Sequence, residues 1–249
     1  MEVHAHTHTP RKKWTHYFWE FLMLFLAVFC GFLAENQREH MVEHQREKQF
    51  MMSLLKDLQS DTSIADYCLK TDTVRIEKID SLLDILYQPT IEKMDIRKAY
   101  YLNKRYLNIF RSLDFNRNTL TQLKNGGNMR LIRKQIVVDT LNWLDTYMMG
   151  MDDQKKSVDE AMDFANHLAS EIFNTSYFRD AGEFHSAGFI LTSAREPQFM
   201  TNDIPLIHNY ANRVYSMRGT RINYHNQIKY YIELSTQMMQ LIQKEYHLQ

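Results

Sequence analysis

His40, Glu43 and His44 spell H-x-x-E-H, the inverted zinc-protease signature. Two imidazoles four residues apart lie on one face of a helix and can share a Zn²⁺, with the glutamate between them as general base. The surroundings oppose that use. The stretch Glu35 to Gln49, ENQREHMVEHQREKQ, is charged on every turn, and only Glu39 and Glu47 on the same helix offer further ligands. The enzymes that carry this signature also need a larger, mixed α/β fold. The expectation is a solvated stalk with no metal and no catalytic residue, and a zinc hydrolase is the remote alternative.

Two other groups carry titratable side chains. His4, His6 and His8 alternate near the N-terminus, where nothing preorganises them as ligands. Arg179, Asp180, Glu183, His185 and Arg195 collect in an irregular stretch, 174–202, that holds Gly182, Gly188 and Pro197. Loops held by a rigid scaffold often carry binding residues, so a ligand loop is expected there if the domain has one. Asp152 and Asp153, followed by Lys155 and Lys156, read as an exposed helical corner. The chain contains no phosphate-cradling glycine loop, no G-x-S-x-G, no kinase set and no CxxC. No cofactor is expected.

These residues are placed by one dominant feature. Tyr17 to Ala34 reads YFWEFLMLFLAVFCGFLA, and a helix needs about 20 mostly apolar residues to cross the hydrocarbon core. Signal cleavage is disfavoured, because Phe32 or Phe29 would occupy the −3 position, which wants a small residue. The span is therefore read as a retained anchor. Arg11, Lys12 and Lys13 stand close before it, and Arg38, Arg46 and Lys48 follow it. The counts tie, and the density of the first cluster favours a cytoplasmic N-terminus. The large domain is then periplasmic and the chain belongs to the inner membrane. Glu20, Leu24, Ala27, Gly31 and Ala34 fall on one stripe at steps of four and three, with Ala27 and Gly31 as a small-xxx-small pair. Such pairs let helix backbones approach closely in lipid, so self-association or docking on a partner span is expected.

Composition narrows the rest. Basic and acidic residues number 30 each, so no net field draws the chain to nucleic acid, and no basic face interleaved with aromatics is evident. Gly and Pro number 7 and 4 against 15 Met, 14 Tyr and 14 Phe, which suits long packed helices. Cys30 lies in the span and Cys68 in the domain, so they form no disulfide framework, and Cys68 reads as a small core residue.

The organisation read from the pattern is all-α. A flexible basic and His-rich tail (1–16) precedes the transmembrane helix (17–34), a polar helical stalk (35–49) and an antiparallel helical bundle (50–249). In the bundle a first run ends at Tyr87, Gln88 and Pro89, and a second helix is expected over about 93–111. A short piece, Asn116 to Leu123, stops at Asn125, Gly126, Gly127 and Asn128. A long helix from about Met129 is expected to break near Gly150, and a short hairpin is expected around Phe189 to Leu191. Asn202 or Asp203 then caps a last helix with Pro205 in its first turn. Its stripe runs Ile207, Tyr210, Val214, Met217, Arg221, Tyr224, Ile228, Tyr231, Ser235, Met238 and Ile242, interrupted only by Arg221 and Ser235.

The segment FWEFLMLFLAVFCGFLAENQREHMVEHQREKQFMMSLLKDLQSD resembles the N-terminus of uncharacterised single-pass membrane proteins of Bacteroidota. The matching positions are Glu20, Glu35, Leu54, Leu55, Asp57 and Leu58, and LTQLKNGGNMRLI, Leu120 to Ile132, resembles an internal motif of the same group. The resemblance implies membrane anchoring and a helical domain, and lends no activity. The expected function is a non-enzymatic oligomeric scaffold or accessory subunit of a membrane assembly, bound to an integral membrane partner or to copies of itself. A periplasmic ligand sensor that signals through a partner is the alternative.

Overall fold

The computed structural model describes residues 14–107, 109–178 and 196–248. It is 85% helical, all-α, and the described residues contain no strand. Five α-helices follow one another: α1 (Trp14–Leu86), α2 (Ile96–Leu102), α3 (Asn118–Asn125), α4 (Gln135–Ile172) and α5 (Ile204–Tyr246). The chain divides into two compact units, Met1–Phe50 and Met51–Gln249.

In the first unit, α1 begins at Trp14, inside the stretch read as a tail. From Trp14 to Leu86 the sequence has one glycine, Gly31, and no proline, so nothing in it breaks a helix. The helix is long and apolar enough to cross a membrane. Most of its apolar side chains in this unit are exposed, from Trp14 through Phe21, Leu24 and Val28 to Leu33, while Leu22, Val42 and Phe50 are half-buried.

The second unit is a bundle built on the last part of α1, α4 and α5. α1 stops at Leu86 because Pro89 bars helical angles at the residue before it. Its hydroxyls within this unit fold back on their own helix: Thr62 donates to the Leu58 carbonyl at 2.8 Å, Ser63 to Gln59 at 2.9 Å and Thr71 to Tyr67 at 3.0 Å. α5 starts where Asp203 accepts from the Leu206 N–H at 3.4 Å, with Pro205 in the first turn.

α5 runs antiparallel to both neighbours. Against α4, Lys134 just before that helix pairs with Glu245 at 3.0 Å, Tyr147 donates to the Gln227 carbonyl at 3.1 Å, and Gln154 donates to Thr220 at 3.1 Å. Against α1, Tyr231 donates to Asp61 at 3.1 Å, Arg218 to Asp80 at 2.9 Å and Tyr87 to Asn212 at 2.9 Å. All eleven stripe positions of α5 are buried, and the two polar ones, Arg221 and Ser235, are fully so. Each fully buried Ile or Met in that stripe contributes about 1.5–3 kcal/mol.

Three expected boundaries differ. α4 begins at Gln135 and not at about Met129, because a 3₁₀ turn, Asn128–Leu131, comes first. α4 runs unbroken through Gly150, which is exposed between buried Met148 and Met151, so packing on either side outweighs the roughly 1 kcal/mol a helical glycine costs. The second helix is shorter than expected: α2 ends at Leu102 and passes into a π-helical turn, Asn103–Leu107. Among the described residues no further helix lies between that turn and α3. The reversal at the paired glycines is present, with Gly127 at φ +63°.

Candidate functional site

Glu20, Leu24, Ala27, Gly31 and Ala34 are all exposed on α1, and Glu20 lies 3.0 Å from His16. A Cβ added at Gly31 would meet no atom within 4 Å. Arg179, Asp180, Glu183, His185 and Arg195, the expected hairpin at Phe189–Leu191, and His4, His6 and His8 lie outside the described residues. On the stalk, His40 Nδ1 is 4.0 Å from Glu43 and His44 Nδ1 is 3.3 Å from Glu47. Among the described residues no three His, Cys, Asp or Glu side chains gather as metal ligands.

The structure draws together a site the sequence did not single out. Tyr67, Lys70, Thr71, Val74 and Arg75 repeat at i, i+3, i+4, i+7 and i+8, one face of α1. Facing them are Arg105 and Tyr106 from the π-helical turn, then Ile109 and Arg111 from the irregular segment after it. Between them lies a cleft of about 540 Å³. Its lining holds four cationic side chains, two phenols, one hydroxyl and two aliphatic side chains, and no carboxylate. That donor set suits an anion and not a metal ion. π-Helical turns recur at functional sites.

The irregular wall is held in place from below by α5. Arg221, fully buried, donates to the carbonyls of Tyr106 (3.5 Å) and Ile109, and its guanidinium lies 5.3 Å from the Phe110 ring centre. The Leu113 N–H donates to the Tyr224 hydroxyl at 2.9 Å. Further along, α1 supplies two carboxylates. Asp61 accepts from the Asn116 N–H at 3.0 Å, and Asp57 accepts from the Asn116 side chain at 2.8 Å and the Thr119 N–H at 3.2 Å. Asp57 thus caps α3 across the bundle, a service Arg117 at the N-cap position does not perform. From α4, Asp152 pairs with Arg117 at 2.7 Å and Lys155 with Asp114 at 3.0 Å. The corner read as merely exposed therefore clamps the same segment.

Burial sets the electrostatics. Arg221 pairs with Asp72 at 3.1 Å, and His225 Nδ1 lies 3.6 Å from the same carboxylate. Desolvation pushes the Asp72 carboxyl up, against the opposing pull of Arg221 and His225. Desolvation pushes Arg221 down, and pushes His225 down with help from Lys229. Arg75 is lowered by burial first and by the like charge of Arg111 as well, partly offset by Asp72. Its Nη1 is shielded from solvent and has no hydrogen-bond partner. Cys68 is buried and its thiol is pushed up by desolvation, which makes it unreactive, as expected of a core cysteine.

The sequence does not single out the cluster at this cleft. Lys70, Arg75, Arg105 and Arg111 alternate with Tyr67 and Tyr106 around one cleft, and Arg111 lies 5.5 Å from the Tyr67 ring centre. Half of this face is legible as a helical repeat on α1. The other half comes from a segment with no period. Comparison with protein-family models, curated proteins and solved structures finds no match to this chain.

Proposed function

We propose that the chain is a non-enzymatic single-pass protein of the inner membrane, of the Bacteroidota kind it resembles, with its N-terminus cytoplasmic and its bundle periplasmic. Its task is structural: it associates with itself or joins a larger membrane assembly as an accessory subunit. The observation that carries this reading is the apolar part of α1, exposed at every position but the half-buried Leu22 and bearing the Glu20, Leu24, Ala27, Gly31, Ala34 stripe. Exposed apolar surface on that scale needs lipid, and the small-residue stripe suits a helix neighbour within it. The Arg11 to Lys13 cluster supports the orientation.

Gentle purification from native membranes, followed by measurement of mass and composition, tests the reading. A defined complex or a homo-oligomer is the expected result, and a monomer without partners overturns it. A second reading, a ligand sensor that signals through a partner, is favoured by the basic cleft beside the π-helical turn.

A further inference from the structure

The cleft lies in the bundle unit, and its lining carries four cations and no carboxylate. Arg75, Arg105 and Arg111 converge with Lys70 on one opening, although the chain as a whole is neutral. Bringing guanidinium groups together costs energy unless something negative sits among them. Asp66 pairs with Lys70, one of the lining cations, at 2.6 Å, and Asp72, which partly offsets Arg75, pairs with Arg221 and His225. Arg75 bears the cost most visibly, with a shielded Nη1 that no acceptor meets. An unmet buried donor is expensive, and a bound anion removes the expense.

The remaining walls define what accompanies the charge. Tyr67, with Arg111 5.5 Å from its ring centre, and Tyr106 bring aromatic side chains to the lining, and Val74 and Ile109 bring aliphatic ones. A volume of about 540 Å³ exceeds what a bare inorganic ion fills and falls in the range of small-molecule sites. Guanidinium pairs are the preferred partners of phosphate oxygens, because their planar donors match the oxygens two at a time.

We infer that this cleft is a binding site for an organic phosphate, with Arg75 and Arg111 as its principal phosphate contacts and the two tyrosines against its organic part. The phosphate belongs either to a soluble molecule or to a lipid headgroup. The inference deepens the sensor reading, and it is separable from the assembly reading, since binding is measured without any partner.

The test uses the full chain in a non-ionic sugar detergent, with titration calorimetry and thermal shift against four probes. These are pyrophosphate, adenosine monophosphate, adenosine, and a short-chain phosphatidic acid below its micellar concentration. At least one of the two organic phosphates is expected to bind, with adenosine bound about tenfold more weakly or not at all. Arg75→Gln and Arg111→Gln are each expected to weaken that probe by about tenfold or more, while Arg213→Gln, an exposed position on α5, leaves it unchanged. Arg111 is itself exposed, so its variant folds even if the Arg75 variant does not. Preference for the nucleotide assigns a soluble ligand, and preference for phosphatidic acid assigns a headgroup. Binding of neither adenosine monophosphate nor phosphatidic acid, equal binding of adenosine, or equal loss in Arg213→Gln overturns the inference.

Discussion

Arg221 occupies a position in the α5 stripe where an aliphatic residue would satisfy the period, and it is buried to 0% exposure. A charge so placed needs partners, and it has Asp72 in ion-pair range of its Nε at 3.1 Å, two carbonyls at its terminal nitrogens and the Phe110 face. Arg221→Met leaves Asp72 buried without its countercharge and releases the wall of the cleft. We expect a loss of about 3–5 kcal/mol in denaturant unfolding of the intact protein. Adding Asp72→Leu to that variant is expected to restore a large part of it, and a single-variant loss below about 1 kcal/mol sinks the account. His225 tells the same story through pH. Burial and Lys229 outweigh Asp72 and hold its imidazole below the ordinary 6.5, so the unfolded chain takes up the proton first. Its contribution is therefore fully present above pH 6.5 and is lost as pH falls through that value toward the folded one. Asp72, raised, acts in the opposite direction, gaining stability as pH falls through its own range. Comparison of His225→Gln with the parent isolates the histidine. The parent's Tm is expected to drop more between about pH 7.5 and about pH 5.5, and equal drops would remove His225 from the explanation.

Among the elements, α1 puts the sharpest demand on its surroundings. Because a side chain at Gly31 meets nothing within the chain, Gly31→Ile leaves the isolated fold intact and acts on association alone. The variant is expected to run at a smaller mass in detergent, and an unchanged mass counts against the stripe. The long elements were legible from residue types: a helix long and apolar enough to cross a membrane from an apolar run with only Glu20 charged, the end of α1 from Pro89, and α5 from a period of three and four with Asp203 as cap. Arg221 and Ser235 looked like interruptions because hydropathy has no means of crediting a charge with its partners. The π-helical turn and the segment after it were not legible. Their shape depends on Arg221, Asp57, Asp61 and Tyr224, all of them distant in sequence. The cleft inherits that illegibility, since one wall is local pattern and the other is tertiary contact.

At the scale of the whole molecule, polar contacts fasten the bundle where α4 leads to α5. Tyr100, fully buried, accepts from the Asn174 N–H at 2.8 Å and donates to the Gln198 carbonyl at 2.8 Å. The Met200 N–H meets the Ile172 carbonyl at 2.9 Å, and the rings of Phe173 and Phe199 close on Tyr100 at 4.9 and 6.2 Å. The ends of the α4-to-α5 connection are thereby fastened together whatever lies between them. Closing a connection costs only about 0.6 kcal/mol more for each doubling of its length, so the fold charges almost nothing for additions there. That makes this join the natural port for evolutionary tinkering and for the engineer. A reporter domain or an affinity tag spliced between Phe178 and Glu196 leaves the helices on either side in register.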